Sequence, residues 1–355
     1  MLCLNVWELP TALGVRIYPG GCRLGQSNRV REGLDVALQD SAALFETIPC
    51  PLCGEAAFDI IKPSKYPDTI AAEDLRKAYS ASSSHQLLDQ VVRCRSCSLH
   101  YVNPRPQSEL IIDSYSAAED PTFVTENQSR THSFAKVLRK VLALKGRRDG
   151  QELRFLDIGC AGGASLVAAK ACGFDPVGVE PSRWMADFGR RTYGVDIRDG
   201  ILQPAMFPEQ SFDVITLWDV LEHIPDPKAL LDLTSRLLRP NGMFVVSYPD
   251  FRSVMGRLLG DRWPFWLSVH VLYYDRRTIA RQLAASGFRI QRYIPYWPTL
   301  EFGYIVERAT PYLPLLKPLH GLVSSLGLSR IPLVYNIGQT IVIAKKTRPE
   351  DSDRQ

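Results

Sequence analysis

No uninterrupted apolar run in the 355 residues approaches the roughly 20 positions a helix needs to cross a bilayer, so no membrane-spanning helix is expected. No dense block of Lys or Arg stands out either. The formal net charge is only +4, from 42 basic and 38 acidic residues, which by itself argues neither for nor against nucleic acid; no nucleic-acid partner is expected. The first residues lack a basic stretch, and Glu8 and Arg16 interrupt their apolar patches, so no signal peptide is expected. Without a secretory signature, eight cysteines in a chain of this size point to metal binding in a reducing compartment rather than a disulfide framework. What is present is an ordinary globular composition, 45% hydrophobic and 23% charged, long enough for one large domain and a smaller one. A cytoplasmic protein is the resulting expectation.

Four cysteines fall into two CxxC pairs, Cys50/Cys53 in Pro49-Cys50-Pro51-Leu52-Cys53-Gly54 and Cys94/Cys97 in Cys94-Arg95-Ser96-Cys97-Ser98. Each pair can form a turn whose backbone N–H groups point at the thiolates. Gly54 follows the first pair, as such a turn favours; Ser98 stands in that place after the second. Four thiolates suit tetrahedral zinc, and a four-cysteine site leaves no position for water, so the metal expected here is structural. Apolar alternation around the second pair suggests a β-ribbon, and residues 46–107 are assigned to a zinc ribbon. A redox role is disfavoured because neither pair begins a helix in a βαβ setting. The bland alternative is four small buried side chains. His85, beside the serine-rich loop between the pairs, is either a substitute ligand or simply exposed.

Residues 1–45 show no sustained period and are expected to be a weakly ordered extension. Residues 108–150 read as a helical linker, in which Phe134, Val137, Leu138, Val141 and Leu142 recur at helical spacing. From 151 to 347 strands alternate with helices. Phe155 to Ile158, Val177 to Glu180, Val195 to Ile197, Phe212 to Trp218, Met243 to Ser247, Phe288 to Tyr293 and Thr340 to Ala344 read as the strands. Such alternation predicts an α/β fold, a mostly parallel sheet covered on both faces, with ligands outside the carboxyl ends of its strands. An apolar, proline-broken insertion at about 296–336 interrupts the pattern. Its 311–333 stretch fits a pocket cover, a peripheral contact with a membrane surface, a dimer contact, or a helical cap on the sheet. Residues 348–355 form a polar tail.

The first of these strands runs into Asp157-Ile158-Gly159-Cys160-Ala161-Gly162-Gly163, a glycine turn ahead of a helix, where a ligand can approach the backbone closely. A dinucleotide would need this turn and helix N-terminus for its pyrophosphate. Asp157, two residues before the first glycine, is better suited to an ammonium or sulfonium ligand. Glu180, at the end of the second strand, can accept from both hydroxyls of a ribose, which either ligand would require.

These segments resemble the class I S-adenosylmethionine (SAM)-dependent methyltransferases. Leu156 to Gly163 is similar to their first motif, with Ala161 where glycine is commoner, and Gly178-Val179-Glu180-Pro181-Ser182 is similar to the second. Ser211 to Ile215, followed by Leu217-Trp218-Asp219-Val220-Leu221-Glu222-His223-Ile224-Pro225-Asp226-Pro227, resembles the fourth-strand motif and its loop. Leu238 to Met243 resembles the turn into the fifth strand. The likeness is tight over about 150–250 and looser beyond. It implies a Rossmann-like seven-stranded sheet in the order 3-2-1-4-5-7-6, with strand 7 antiparallel. It also implies SAM contacts from Asp157, Gly159, Cys160, Ala161, Gly163, Glu180, Pro181, Gly200, Ile201, Leu217, Trp218 and Asp219. With the four-cysteine module running into Tyr101-Val102-Asn103-Pro104-Arg105-Pro106, the chain is similar to a bacterial subgroup associated with cell-surface glycan or lipid-linked metabolism.

In such an enzyme the sulfonium is already an activated electrophile, so the protein aligns a nucleophile and excludes water. For a hydroxyl nucleophile, a base near neutral pKa adds about a hundred- to ten-thousand-fold. His223, after the fourth strand, and His270, within the aromatic stretch Trp263 to Tyr274, are the candidates, each weighed against a structural role. Tyr248 either reaches the acceptor or packs; Cys160 reads as a small filler. The expected activity is methyl transfer from SAM to a small-molecule or glycan/lipid-linked acceptor, at a hydroxyl before nitrogen or carbon. One rival is a zinc-ribbon binding protein for nucleic acid or protein with a vestigial SAM fold, which the intact Asp157, Gly159, Gly163 and Glu180 count against. Another is a nicotinamide-dependent oxidoreductase. Nothing in the sequence sets the oligomeric state.

Overall fold

The computed structural model describes residues 44–67, 70–80, 86–117, 119–146, 152–310, 323 and 325–347. The extension before 44, His85, residues 311–322 of the insertion and the tail from 348 lie outside the described residues.

The N-terminal part contains β1 (Phe45–Glu46), β2 (Phe58–Lys62), α1 (Ala72–Ala78), β3 (Val91–Cys94), β4 (His100–Val102) and β5 (Arg105–Pro106). β2, β3 and β4 pair antiparallel in sequence order, and β1 pairs with β5. Three helices follow: α2 (Ser108–Ser116), α3 (Pro121–Thr125) and α4 (Asn127–Lys145). The apolar stripe read from the sequence is the buried face of α4, with Phe134, Val137, Leu138 and Val141 packed in one core with Phe155, Val214 and Met243. α4 is therefore a covering layer of the sheet that comes next.

That sheet is built from β6 (Leu153–Ile158), β7 (Phe174–Glu180), β8 (Asp196–Asp199), β9 (Phe212–Trp218), β10 (Leu238–Pro249), β12 (Phe288–Pro295) and β15 (Gln339–Lys346). Its order is β12-β15-β10-β9-β6-β7-β8, with β15 antiparallel to both neighbours, which is the expected 3-2-1-4-5-7-6 arrangement. All seven residues of β9 are buried, as a central strand covered on both faces requires. The crossover helices are α5 (Ala164–Ala171), α6 (Arg183–Tyr193), α7 (Pro227–Leu237) and, after the short α8 (Val254–Leu259), α9 (Arg276–Ala285). Their ends follow local chemistry. Ser182 caps α6 by accepting from Met185 N, and Gly194 ends it in the left-handed region. Asp226 caps α7 ahead of Pro227, and Asp275 with Thr278 forms a capping box on α9. β10 begins five residues earlier than its apolar run, because Leu238 already pairs with Phe212 before a register shift across Arg239 to Gly242.

The remaining strands lie in the connections: β11 (Leu272–Tyr273), β13 (Thr299–Glu301) and β14 (Pro332–Val334), with α10 (Phe302–Ala309) after β13. β11 changes the picture of the N-terminal module. It pairs antiparallel with β4, Leu272 opposite Tyr101 and Tyr273 opposite His100, so the ribbon sheet runs β11-β4-β3-β2. Val102 N donates to Val271 O at 2.9 Å, Leu87 N to Trp266 O at 3.0 Å, and Arg105 Nη1 to Pro225 O at 2.8 Å. The ribbon thus shares a sheet with the connection between the fifth and sixth strands. No helix among the described residues is long and apolar enough to cross a membrane.

Candidate active site and zinc ribbon

Cys50, Cys53, Cys94 and Cys97 bring their sulfurs within 4.8 Å of one another. Cys50 Sγ lies 3.4 Å from Cys97 Sγ, and Cys53 Sγ 3.5 Å from Cys94 Sγ, close to the roughly 3.8 Å edge of a tetrahedron with about 2.3 Å zinc–sulfur bonds. Both turns close alike: Gly54 N donates to Cys50 O at 2.9 Å and Ser98 N to Cys94 O at 3.1 Å. Gly54 stands at φ 75° and Ser98 at φ 65°, so the serine occupies the same left-handed position as the glycine. Burial pushes the Cys97 thiol up to about 11. Against the effect of burial, the Glu55 backbone and the neighbouring thiols bring the more exposed Cys53 down to about 7. Four thiols gathered without a disulfide match a divalent soft-metal donor set, so these residues fit zinc.

The glycine turn joins β6 to α5. Gly159 at φ 73° and Gly163 at φ 79° need the conformational freedom of glycine; a Cβ on Gly159 would come within 2.7 Å of Val220. Ala161 takes φ 46° without that freedom. Glu180, at the carboxyl end of β7, is buried and reaches back to this turn. Its Oε2 accepts from Ala161 N at 2.7 Å and its Oε1 from Ser182 N at 2.9 Å. Burial pushes its carboxyl up to about 7, with those two N–H groups pulling the other way. Each carboxylate oxygen keeps a further acceptor direction, enough for a vicinal diol.

Asp157 sits one layer deeper. It is almost wholly buried, and its two oxygens accept from Ser165 Oγ and, at 2.5 Å, from Thr216 Oγ1. Burial raises it to about 7 as well, against those hydroxyls. Its side chain therefore ties β6 to α5 and β9. Cys160 is buried, its thiol well above the ordinary range, and it packs against Gly178, where a Cβ would lie 2.4 Å from its sulfur. Gly200 N donates to Glu180 O at 2.9 Å, which brings the end of β8 to the same edge; Ile201 beside it is exposed and Pro181 half-buried. Leu217 is wholly buried, and Trp218 packs on Phe134 with ring centroids 4.6 Å apart. Asp219 accepts from Ser247 Oγ at 2.8 Å and Gln339 Nε2 at 2.6 Å.

His223 and His270 meet, with ring centroids 4.8 Å apart and edge to face. Each is held through Nδ1, His223 by Val269 O and His270 by Phe265 O, both at 2.9 Å. Loss of water contact pushes His223 down to about 4, against the carbonyls of Val269 and Asp219, and holds His270 well below its usual range. Both imidazoles are neutral at pH 7. Two neighbours were not read from the sequence. Glu222 is buried with both carboxylate oxygens unpartnered, and burial keeps its carboxyl far above the ordinary range. Tyr115, from α2, lies 5.9 Å from the His223 ring, and burial followed by the charges of Glu180 and Glu222 raises its hydroxyl. Glu222 stood inside the fourth-strand motif and was legible there; Tyr115 belongs to no motif. Likewise Asn127 and Thr131 of α4 donate to Gly162 O and Ala164 O, both at 3.2 Å, so α4 braces the glycine turn.

A family model described as "Methyltransferase domain" matches residues 129–293, beginning within α4. The chain is similar to the ubiquinone biosynthesis O-methyltransferase of Azorhizobium caulinodans, 31% identical over 119 residues, 32% of this chain and 45% of that protein. It is also similar to the enzyme of the same name from Coxiella burnetii, 25% identical over 137 residues, 37% of this chain and 56% of that one. The chain spans about half the length of these curated relatives. A solved SAM-dependent methyltransferase from Archaeoglobus fulgidus is 19% identical with a TM-score of 0.43, covering 64% of this chain and 100% of that one. The stretch that matches the methyltransferase-domain model lies on the seven-stranded mixed sheet, a Rossmann-like methyltransferase fold, and a four-cysteine cluster consistent with a zinc ribbon precedes it.

Proposed function

We propose that this chain transfers a methyl group from SAM to a hydroxyl of a small-molecule acceptor, with a structural zinc held by Cys50, Cys53, Cys94 and Cys97. The observation that carries the reading is Glu180, a buried carboxylate at the carboxyl end of β7, bonded to Ala161 N in the glycine turn. When bound, SAM supplies a methyl group on a sulfonium that needs no further activation. Glu180 would hold the ribose hydroxyls through the acceptor directions its two backbone partners leave free. Gly159 and Gly163 let the ligand lie against the backbone, and Asp157 keeps β6, α5 and β9 in register beneath it. Asp219, fixed by Ser247 and Gln339, opens the loop that carries His223.

His223 is assigned the proton of the acceptor hydroxyl. A pKa of about 4 leaves it unprotonated and able to accept at neutral pH, while making it a weak base. Its contribution is therefore placed near the lower end of general-base catalysis, about a hundredfold. His270, buried against it, positions the ring. Oxygen as the methylated atom is supported by the O-methyltransferase names of the relatives. A glycan- or lipid-linked acceptor is the narrower form of the proposal and rests on the resemblance of the four-cysteine module alone. The same holds for a cytoplasmic site at the membrane surface through 311–333, most of which lies outside the described residues.

The test is incubation with methyl-labelled SAM and a fractionated extract, followed by mass spectrometry of labelled products. A labelled methyl ether supports the reading. Label only on nitrogen or carbon would move the acceptor atom, and absence of SAM binding in calorimetry would overturn the activity.

A further inference from the structure

A cavity of about 740 Å³ opens beside the carboxyl end of β10. Its walls come from the turn after β10, the first turns of α8 and α9, Trp297 beyond β12, and the start of β15. This is the edge of the sheet where open α/β folds take their ligands, on the half away from Glu180. The volume falls within the roughly 300–1,000 Å³ of small-molecule sites.

The charges around it do not balance. Arg252, Arg257, Arg276 and Arg277 line the cavity against only Asp250 and Asp275. Both carboxylates are already engaged. Asp275 caps α9 and lies 3.6 Å from Arg252 Nε, and Asp250 Oδ1 accepts from Arg252 N at 2.9 Å. Among the described residues, Arg252 is the one cavity arginine with an ion pair. Arg257 bonds a backbone carbonyl, and Arg276 lies over the Tyr293 ring at 5.2 Å. Excess guanidinium charge is thus left facing the cavity. The rim is apolar: Val254 is 81% exposed and Trp297 55% exposed.

Gln339 connects this cavity to the reaction centre. It lines the cavity, donates Nε2 to Asp219 Oδ2 at 2.6 Å, and leaves its buried Oε1 without a partner. A buried acceptor of this kind calls for a donor from a ligand. A hydroxyl meeting it would stand beside Asp219.

We propose that this cavity is the acceptor site and that it selects a molecule joining an anionic group, phosphate or carboxylate, to an apolar body. The inference rests on the methyltransferase reading and names its substrate class. The guanidinium groups take the anion in paired, charge-assisted bonds. The Trp297 and Val254 rim covers the apolar part, and Gln339 Oε1 accepts from a further polar donor of the bound molecule, leaving the reacting hydroxyl's proton to His223.

The probe is octyl phosphate, titrated into the full-length zinc-loaded protein by calorimetry. Octyl glucoside and inorganic phosphate serve as controls, as do vesicles of phosphatidylglycerol or phosphatidylcholine. One equivalent of octyl phosphate should bind, more weakly as salt rises, with octyl glucoside and phosphate each binding at least roughly tenfold less tightly. The exposed pair Arg276→Ala/Arg277→Ala should weaken octyl phosphate at least roughly tenfold and leave SAM affinity unchanged. Binding to phosphatidylglycerol vesicles that octyl phosphate displaces would make the anion a lipid headgroup; its absence would make it a soluble acceptor. Equal binding of octyl glucoside, or unchanged octyl phosphate affinity in the double variant, would overturn the proposal. Failure of SAM to bind while octyl phosphate still does would strike the methyltransferase reading instead.

Discussion

The donor end and the acceptor end of this sheet are built on opposite plans. At the donor end, Asp157 and Glu180 are buried and every carboxylate oxygen has a hydrogen-bond partner in the glycine turn, α5, β9 or the start of α6. At the acceptor end, Glu222, Tyr248, Tyr274 and Gln339 all keep buried polar atoms with no partner. Buried polar groups cost stability unless they are paired, so the two donor-end carboxylates are held as folded, whereas the second region keeps orphaned groups that a ligand can complete. The acceptor end is also the one braced by the ribbon, through β4 and β11.

That bracing gives the largest expected effect. Structural zinc contributes on the order of 10–16 kcal/mol to folding of small Cys-rich modules. Cys94→Ser should therefore lose zinc, measured as about one metal per chain in the parent and none in the variant. Because β11 is the edge of the ribbon sheet, hydrogen exchange should quicken at Leu272 and Tyr273 as well as in β3 and β4. The amides of β6 and β7 should stay protected. Loss of protection at the donor end too would erase the contrast between the two regions.

Glu180→Ala acts on the other side of the contrast. Removing the acceptor of two hydroxyls, each bond to a charged group being worth about 1.5–3 kcal/mol, should weaken SAM binding by roughly a hundredfold or more. Calorimetry reads this directly, and unchanged affinity would remove Glu180 from the site. His223→Ala should do the reverse, lowering kcat about a hundredfold with SAM affinity intact. An unaffected rate would return His223 to a structural role, through its bond to Val269 O and its packing on His270.

The same carboxylates predict a pH dependence. Glu180 and Asp157 are each pushed up to about 7 by burial, whereas an unfolded chain would ionise them near 4. Between these values the folded state binds more protons, so the raised pKa values make stability fall as pH rises from about 4 to about 7. A cationic ligand favours the ionised forms. SAM affinity should therefore drop as pH falls below about 7, by up to roughly tenfold per unit for each group. Calorimetry at pH 6 and pH 8 checks this, and equal affinity at both would mean neither carboxylate responds to the ligand.

How much could be read in advance follows from the same contrast. The donor end lies in contiguous stretches, Leu156 to Gly163 and Gly178 to Ser182, so its strands, turn and acids were legible, as was the strand order through the family resemblance. Asp157's partners were not, because Ser165 and Thr216 come from a helix and a strand whose contact only the fold creates. The acceptor end draws Tyr115 from a helix before the sheet, Glu222 and His223 from one loop, and His270 and Gln339 from others. No spacing in the sequence encodes such meetings. The pairing of β11 with β4 was hidden for a related reason: two residues are too short to show an alternation.

The smallest expected effect lies within the ribbon, where the two zinc turns differ by one residue. Gly54 and Ser98 occupy equivalent positions at φ 75° and 65°, a region that costs a residue with a Cβ about 1–2 kcal/mol. Ser98→Gly removes that strain but adds about 0.5–1 kcal/mol of chain entropy to be lost on folding. The net gain should be about 0–1.5 kcal/mol, seen as a small rise in Tm of the zinc-loaded protein with no change in SAM affinity. A fall in Tm would mean that the Ser98 side chain makes a contact worth more than its backbone strain, and that the two turns are not equivalent. A change in SAM affinity would show that the ribbon reaches past the acceptor end, which the sheet shared by β4 and β11 does not provide for.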